Sequence, residues 1–180
     1  MRRRLQLTAL VAVVAVLGVV AVAVATNGGR KVDERLTGYE ETPLPLSTTG
    51  NGHFQAWINS AAQEVRYSLS YSDLEGSVLQ AHIHFGHEKG AAGGISVFLC
   101  SNLGNGPAGT QSCPPAPATI TGTFRPQDVI GPTGQGIAPG EFGELMDAMQ
   151  AGLTYVNVHS TKYPGGEIRA QIAGLDDDDD

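Results

Sequence analysis

Ala81-His82-Ile83-His84-Phe85-Gly86 places two histidines two residues apart in a run of strand-forming residues. Side chains at i and i+2 of a β-strand leave the backbone on the same face. The two imidazoles therefore share one side, and Ala81, Ile83 and Phe85 share the other. Extending the run to residues 78–85 adds Leu79 to the apolar set. A strand with one apolar face belongs to a half-buried antiparallel sheet.

The same period of two recurs along the chain. Phe54, Ala56 and Ile58 share a face within residues 53–59. Val65, Tyr67, Leu69 and Tyr71 share one within residues 64–71, after a hairpin connection at 59–63. Further strands are expected at residues 36–39, 95–99, 119–124, 154–160 and 167–172. Pro43 and Pro45 cannot lie in a central strand, because proline donates nothing to the ladder. Residues 140–150 form the one good helix candidate: Leu145, Met146 and Met149 make an apolar stripe, and Gly152 is a natural stop. About eight strands in hairpin order with one short late helix predict an all-β fold, an antiparallel Greek-key β-sandwich or barrel.

The 180 residues include 24 glycines and 10 prolines, which fits many short elements joined by turns. Arg2, Arg3 and Arg4 precede an apolar run that ends at Ala23-Val24-Ala25. Residues 1–25 thus read as a signal peptide or as a retained N-terminal membrane anchor. Either one delivers the rest outside the cytoplasm. The expected organisation is a linker at 26–35, one β-sandwich domain at 36–173, and a solvated acidic tail at 174–180. The formal charge of -7 and the lack of any basic cluster beyond the leader's Arg2, Arg3 and Arg4 exclude a nucleic-acid partner. Membrane contact is expected only through an uncleaved N-terminal segment. In an exported chain the two cysteines, Cys100 and Cys113, most simply pair with each other.

Reading the strands in phase extends the histidine face. With the apolar sets turned to the core, Tyr155, Asn157 and His159 fall on the same outward side as His82 and His84. Glu167, Arg169 and Gln171 do so as well. If the two histidine strands are neighbours, three imidazoles converge. Three neutral imidazoles with an open position suit a zinc or copper ion. His87, in the next loop, is a candidate fourth ligand, and His53 reads as plain surface. The competing reading is a polar strand face bonded to water. Glu167 is expected either to orient an imidazole or to anchor a nearby loop. Arg169 is expected either to attract an anion or to join an ion pair. Asn157 is a further neighbour of the ligand set. No catalytic residue is assigned, and no nucleophile-elbow, phosphate-loop, dinucleotide or H-E-x-x-H motif occurs.

Four ordered segments resemble a known family. They are Leu36-Thr37-Gly38-Tyr39-Glu40-Glu41-Thr42-Pro43, the Ala81 to Gly86 stretch, Tyr155-Val156-Asn157-Val158-His159-Ser160, and Gly165-Gly166-Glu167-Ile168-Arg169-Ala170-Gln171. Together they resemble the CHRD domain first described in chordin. Phe98-Leu99-Cys100-Ser101-Asn102-Leu103-Gly104, running on to Cys113, is similar to bacterial secreted members. The resemblance implies an extracytoplasmic β-sandwich module with no established catalysis and an extracellular protein partner. A more local resemblance joins His82, His84 and His159 to the copper-ligand strands of copper–zinc superoxide dismutase, also a Greek-key barrel. The bridging and zinc-binding residues of that family have no counterpart after His84. The readings implied are a metal-binding module, a mononuclear copper enzyme of dismutase type, or a structural adhesion domain without metal.

Overall fold

The computed structural model describes residues 30–87 and 92–173, so the expected leader (1–25) and acidic tail (174–180) lie outside the described residues. Eight strands and one α-helix follow in chain order. They are β1 (Arg30–Thr37), β2 (Asn51–Asn59), β3 (Glu64–Ser72), β4 (Val78–Phe85), β5 (Gly94–Ser101), β6 (Ala118–Phe124), α1 (Phe142–Gln150), β7 (Thr154–Ser160) and β8 (Ile168–Ile172). They form a single sheet in the order β5-β4-β7-β8-β1-β2-β3-β6. Every pairing is antiparallel. No helix among the described residues is long and apolar enough to cross a membrane.

The first strand begins at Arg30 rather than near Leu36, so residues 30–35 of the expected linker belong to the sheet. Val32 and Leu36 supply its buried face, and each backbone position from Arg30 to Thr37 has a partner in β2. Charged residues fill the outer face, which disguises the strand as a linker. The expected strand at 36–39 ends early, because Gly38–Glu40 turns as a short 3-10 helix. In α1, Phe142, Leu145, Ala148 and Met149 are buried, with Met146 packed beside them. Gly152 follows with a left-handed φ of 70°, the stop its lack of a Cβ permits.

The sheet curls until its edges nearly meet. Tyr67 on β3 donates its hydroxyl to the Leu99 carbonyl on β5 at 3.0 Å. The Gln111 amide donates to that same carbonyl at 3.1 Å and to the Thr121 carbonyl on β6 at 3.2 Å. Side chains thus close the seam where no ladder does, and both strand edges are covered. The Cys100–Cys113 disulfide (Cα to Cα 5.1 Å) ties the Gln111 loop to β5. A closed loop of that size contributes about 3 kcal/mol in the chain-entropy account.

The core lies inside this barrel, where Phe54, Leu69, Ile83, Val97, Val156, Val158 and Ile168 meet. The outer side of the β4–β7–β8 wall is also buried: every residue of β7 is withdrawn from solvent. Its cover comes from turns. The Leu46 amide donates to the Gly38 carbonyl at 2.7 Å, folding the 38–48 segment on itself. Glu167 then pins that segment, its Oε1 accepting from Thr48 Oγ1 at 2.8 Å and from the Glu75 amide at 2.6 Å.

Candidate metal centre

β4 and β7 are ladder neighbours, with His82 opposite Asn157, His84 opposite Tyr155 and Gln80 opposite His159. The three histidines therefore fall on adjacent strands and one face, opposite Ala81, Ile83, Val156 and Val158 in the core. The β4–β5 register slips on either side of the His82–Ile83 pair. Such bulges twist a strand and re-aim its side chains. The possible ligand atoms of His82, His84 and His159 all lie within 4.8 Å of one another. The three residues are 0%, 6% and 6% exposed. The face expected to look outward is outside the barrel but sealed from solvent.

Backbone carbonyls fix the tautomers. His84 Nδ1 sits 2.9 Å from the Gly93 carbonyl, and His159 Nδ1 sits 3.0 Å from the Pro164 carbonyl. A carbonyl only accepts, so each Nδ1 carries the proton and each Nε2 keeps a lone pair. The Nε2 of His84 is buried with no hydrogen-bond partner. His82 turns the other way, its Nδ1 3.2 Å from His159 Nε2. Metal-free, His82 Nδ1–H donates across that gap. The spacing is also close to the roughly 3.3 Å between two nitrogens on one tetrahedral ion.

Burial holds all three imidazoles neutral. It lowers His82 to about 2, helped by repulsion from His159 and His84. It lowers His84 to about 4 against the opposing Gly93 hydrogen bond. His159 is lowered for the same reason. Neutral imidazole is the form that ligates. The residues also fit a metal sterically. An ion at about 2.0–2.1 Å from each nitrogen sets tetrahedral pairs roughly 3.3 Å apart, so the widest pair closes by up to about 1.5 Å from the 4.8 Å limit, within reach of small side-chain rotations.

The surroundings are aromatic and tightly layered. The His84 ring stacks on Tyr155 with centroids 4.8 Å apart and planes 1° from parallel. The Arg169 guanidinium covers the other face of Tyr155 at 4.0 Å. Phe98 meets His82 edge-on at 4.4 Å. Gly93 joins both sides, donating its amide to Tyr155 Oη at 2.9 Å while its carbonyl holds His84. A Cβ at Gly93 would lie 1.9 Å from the Phe85 carbonyl oxygen, a backbone atom that cannot step aside. Gly93→Ala is thus expected to lose about 2 kcal/mol of stability and to weaken zinc binding along with it. Urea denaturation and a zinc titration read the two effects, and a variant matching the parent in both refutes this role.

The other expected neighbours divide. Arg169 is fully buried. It donates to the carbonyls of Glu40 at 3.0 Å and His87 at 3.0 Å, and also to Gln171 Oε1. Glu167 orients no imidazole, because its Oε1 serves Thr48 and Glu75, so the loop-anchor reading is the one the contacts match. The His87 side chain is exposed and outside the group of three. His53 pairs with Asp33 on the surface. Asn157 is buried between His82 and Arg169 in the register, and its amide donates to Glu41 Oε2 at 3.3 Å.

Glu41 escaped the sequence reading, since a carboxylate between two turns resembles solvated loop. It is 6% exposed. Burial raises its carboxyl to about 7, against the Asn157 hydrogen bond and the Arg169 charge, which lower it. Gly166, at a φ of 138°, packs its backbone against this pair: a Cβ there would lie 2.5 Å from Asn157 Nδ2 and 2.7 Å from Glu41 Oε2.

Comparison with curated proteins and with solved structures finds no match. The family model of the CHRD domain matches residues 32–172, from the first strand to the last and across all three histidines, and the chain belongs to the CHRD domain family.

Proposed function

We propose that this protein is an exported CHRD module that holds a transition metal, copper or zinc, through His82 Nδ1, His84 Nε2 and His159 Nε2. One observation carries the reading: three buried imidazoles each bring a ring nitrogen within 4.8 Å of the other two, and backbone carbonyls leave the Nε2 of His84 and of His159 unprotonated. Apolar burial alone gives no reason to gather three polar rings, since each orphaned nitrogen costs free energy. A cation among them repays that cost. The near-complete burial of the ligands favours a held ion over turnover of a substrate. Export is supported by the leader-like residues 1–25 and by the disulfide, which belongs to oxidising compartments. Residues 1–25 serve in this reading as a cleaved leader or an anchor, and an extracellular protein is the natural partner.

Calorimetric titration of the protein with Zn²⁺ and Cu²⁺ tests the site. Saturable one-to-one binding tighter than about micromolar is expected, with a loss of at least about 100-fold in His84→Ala. Circular dichroism of the variant checks that it is folded. Binding weaker than millimolar, or equal binding in the folded variant, refutes the metal centre.

A further inference from the structure

Glu41 has no part in the three-histidine set, yet it is buried in the same outer layer. We propose that Glu41 is the proton-bearing counter-charge of this centre, holding a proton while the imidazoles are metal-free and releasing it when a divalent cation sits among them. This rests on the metal-binding reading and adds to it a coupling between occupancy and protonation.

Charge balance is the first ground. Three neutral imidazoles bring no negative charge, so a divalent ion there leaves two buried positive charges, and Arg169 adds a third nearby. A low-dielectric site answers such an excess by shifting the protonation of the nearest group that can change. The second ground is which group that is. Glu41, from its turn, lies within electrostatic reach of Glu167 and Arg169 from the β8 segment and of Tyr155 from β7, whose hydroxyl burial keeps protonated. Glu167 Oε1 is committed to Thr48 Oγ1 and the Glu75 amide, tying that side chain to two other segments, and its Oε2 is buried without a partner. Arg169 stays charged at any relevant pH. Glu41 accepts one side-chain hydrogen bond, from Asn157, and its Oε1 is buried without a hydrogen-bond partner. Its neutral and ionised forms are close in free energy in the metal-free layer, which its raised value near neutrality reflects.

The third ground is the connection. Asn157 stands beside His82 in the β4–β7 register and bonds Glu41 with its amide. Both Asn157 Oδ1 and His82 Nε2 are buried without partners. When His82 ligates through Nδ1, its proton sits on Nε2. Gly166 closes the layer over Asn157 and Glu41 with no side chain between them.

Zinc titration calorimetry in buffers of different ionisation enthalpy counts the protons displaced. The parent protein is expected to release close to one proton per zinc at pH 6 and markedly fewer at pH 8. Glu41→Gln keeps the Asn157 contact and imitates the protonated acid, so it folds and binds zinc. It is expected to release no Glu41 proton at pH 6. Its affinity stays flat between pH 6 and pH 8, while that of the parent falls about tenfold from pH 8 to pH 6. Equal proton release and equal pH dependence in parent and variant overturn the coupling while leaving the metal centre standing. Absence of saturable zinc binding in the parent removes the metal centre itself, and the coupling with it.

Discussion

Arg169→Ala is expected to lower the unfolding free energy by about 3–5 kcal/mol and to abolish tight zinc binding. The guanidinium is fully buried on β8 and holds segments far apart in sequence. Its donors satisfy the carbonyls of Glu40, in the turn after β1, and of His87, in the loop after β4. Truncation leaves buried carbonyls without donors, each costing about 1–3 kcal/mol, and opens a cavity beside Tyr155. The ring of Tyr155 then loses its cover at 4.0 Å, and it is the surface on which His84 stacks. Stability and site geometry are therefore expected to fail together. Arg169→Lys separates the two causes. It restores charge but not the planar fork that spans two carbonyls and lies flat on a ring, so it recovers only part of the loss. Urea denaturation of all three proteins at pH 7.5 gives the result. A loss below about 1 kcal/mol in Arg169→Ala contradicts this account of the layer.

The part of this layer that could be read from the sequence is what strand periodicity reports. His82 and His84 are in phase by construction, and His159 is in phase with Tyr155 and Asn157 on a strand whose core side is Val156 and Val158. Local alternation needs no tertiary knowledge, and it brought forward all three members of the cluster. What covers the outward face was not legible, because the cover is non-local. It comes from the 38–48 turn, held by Thr48 on Glu167, and from the 161–167 turn, where Pro164 meets His159. A strand shows which side faces the core but not whether a loop lies over the other side. Glu41 was lost for that reason, and the expected tie between Glu167 and an imidazole failed for it too. Main-chain carbonyls of Gly93 and Pro164 perform that task, and any residue can supply a carbonyl, so no side-chain identity marks them. The start of β1 was hidden differently. Lys31, Asp33 and Arg35 occupy its solvent face, and Val32 and Leu36 on the other face are separated by the half-buried Glu34.

Acidification is expected to destabilise the metal-free protein from about pH 6.5 downward, before its surface carboxylates are protonated. An unfolded imidazole takes up a proton near 6.5, whereas His84 resists until about 4 and His82 until about 2, with His159 lowered as well. Between these values the unfolded chain binds more protons than the folded one. The stability carried by the three histidines is thus fully present above pH 6.5 and is lost as pH falls below it. Glu41 acts with the opposite sign. Its carboxyl is raised from 4.5 to about 7, so between those values the folded chain binds the extra proton and gains stability as pH falls. His82 and His84 bring two protons against one from Glu41, a net slope of at least about 1.4 kcal/mol per pH unit from pH 6.5 to 4.5, which the lowered His159 steepens. Against a typical stability of about 5–15 kcal/mol, that slope removes about 3 kcal/mol or more by pH 4.5. Glu41→Gln removes the opposing proton, so its slope over the same window steepens by about one proton and its acid midpoint moves up in pH. Saturating zinc, which binds only the neutral imidazoles, moves the midpoint down. Urea denaturation at pH 7.5, 6.0, 5.0 and 4.5, with and without zinc, measures each slope. Stability that is flat from pH 6.5 to 4.5 in the metal-free protein means that the three histidines are not held neutral by burial.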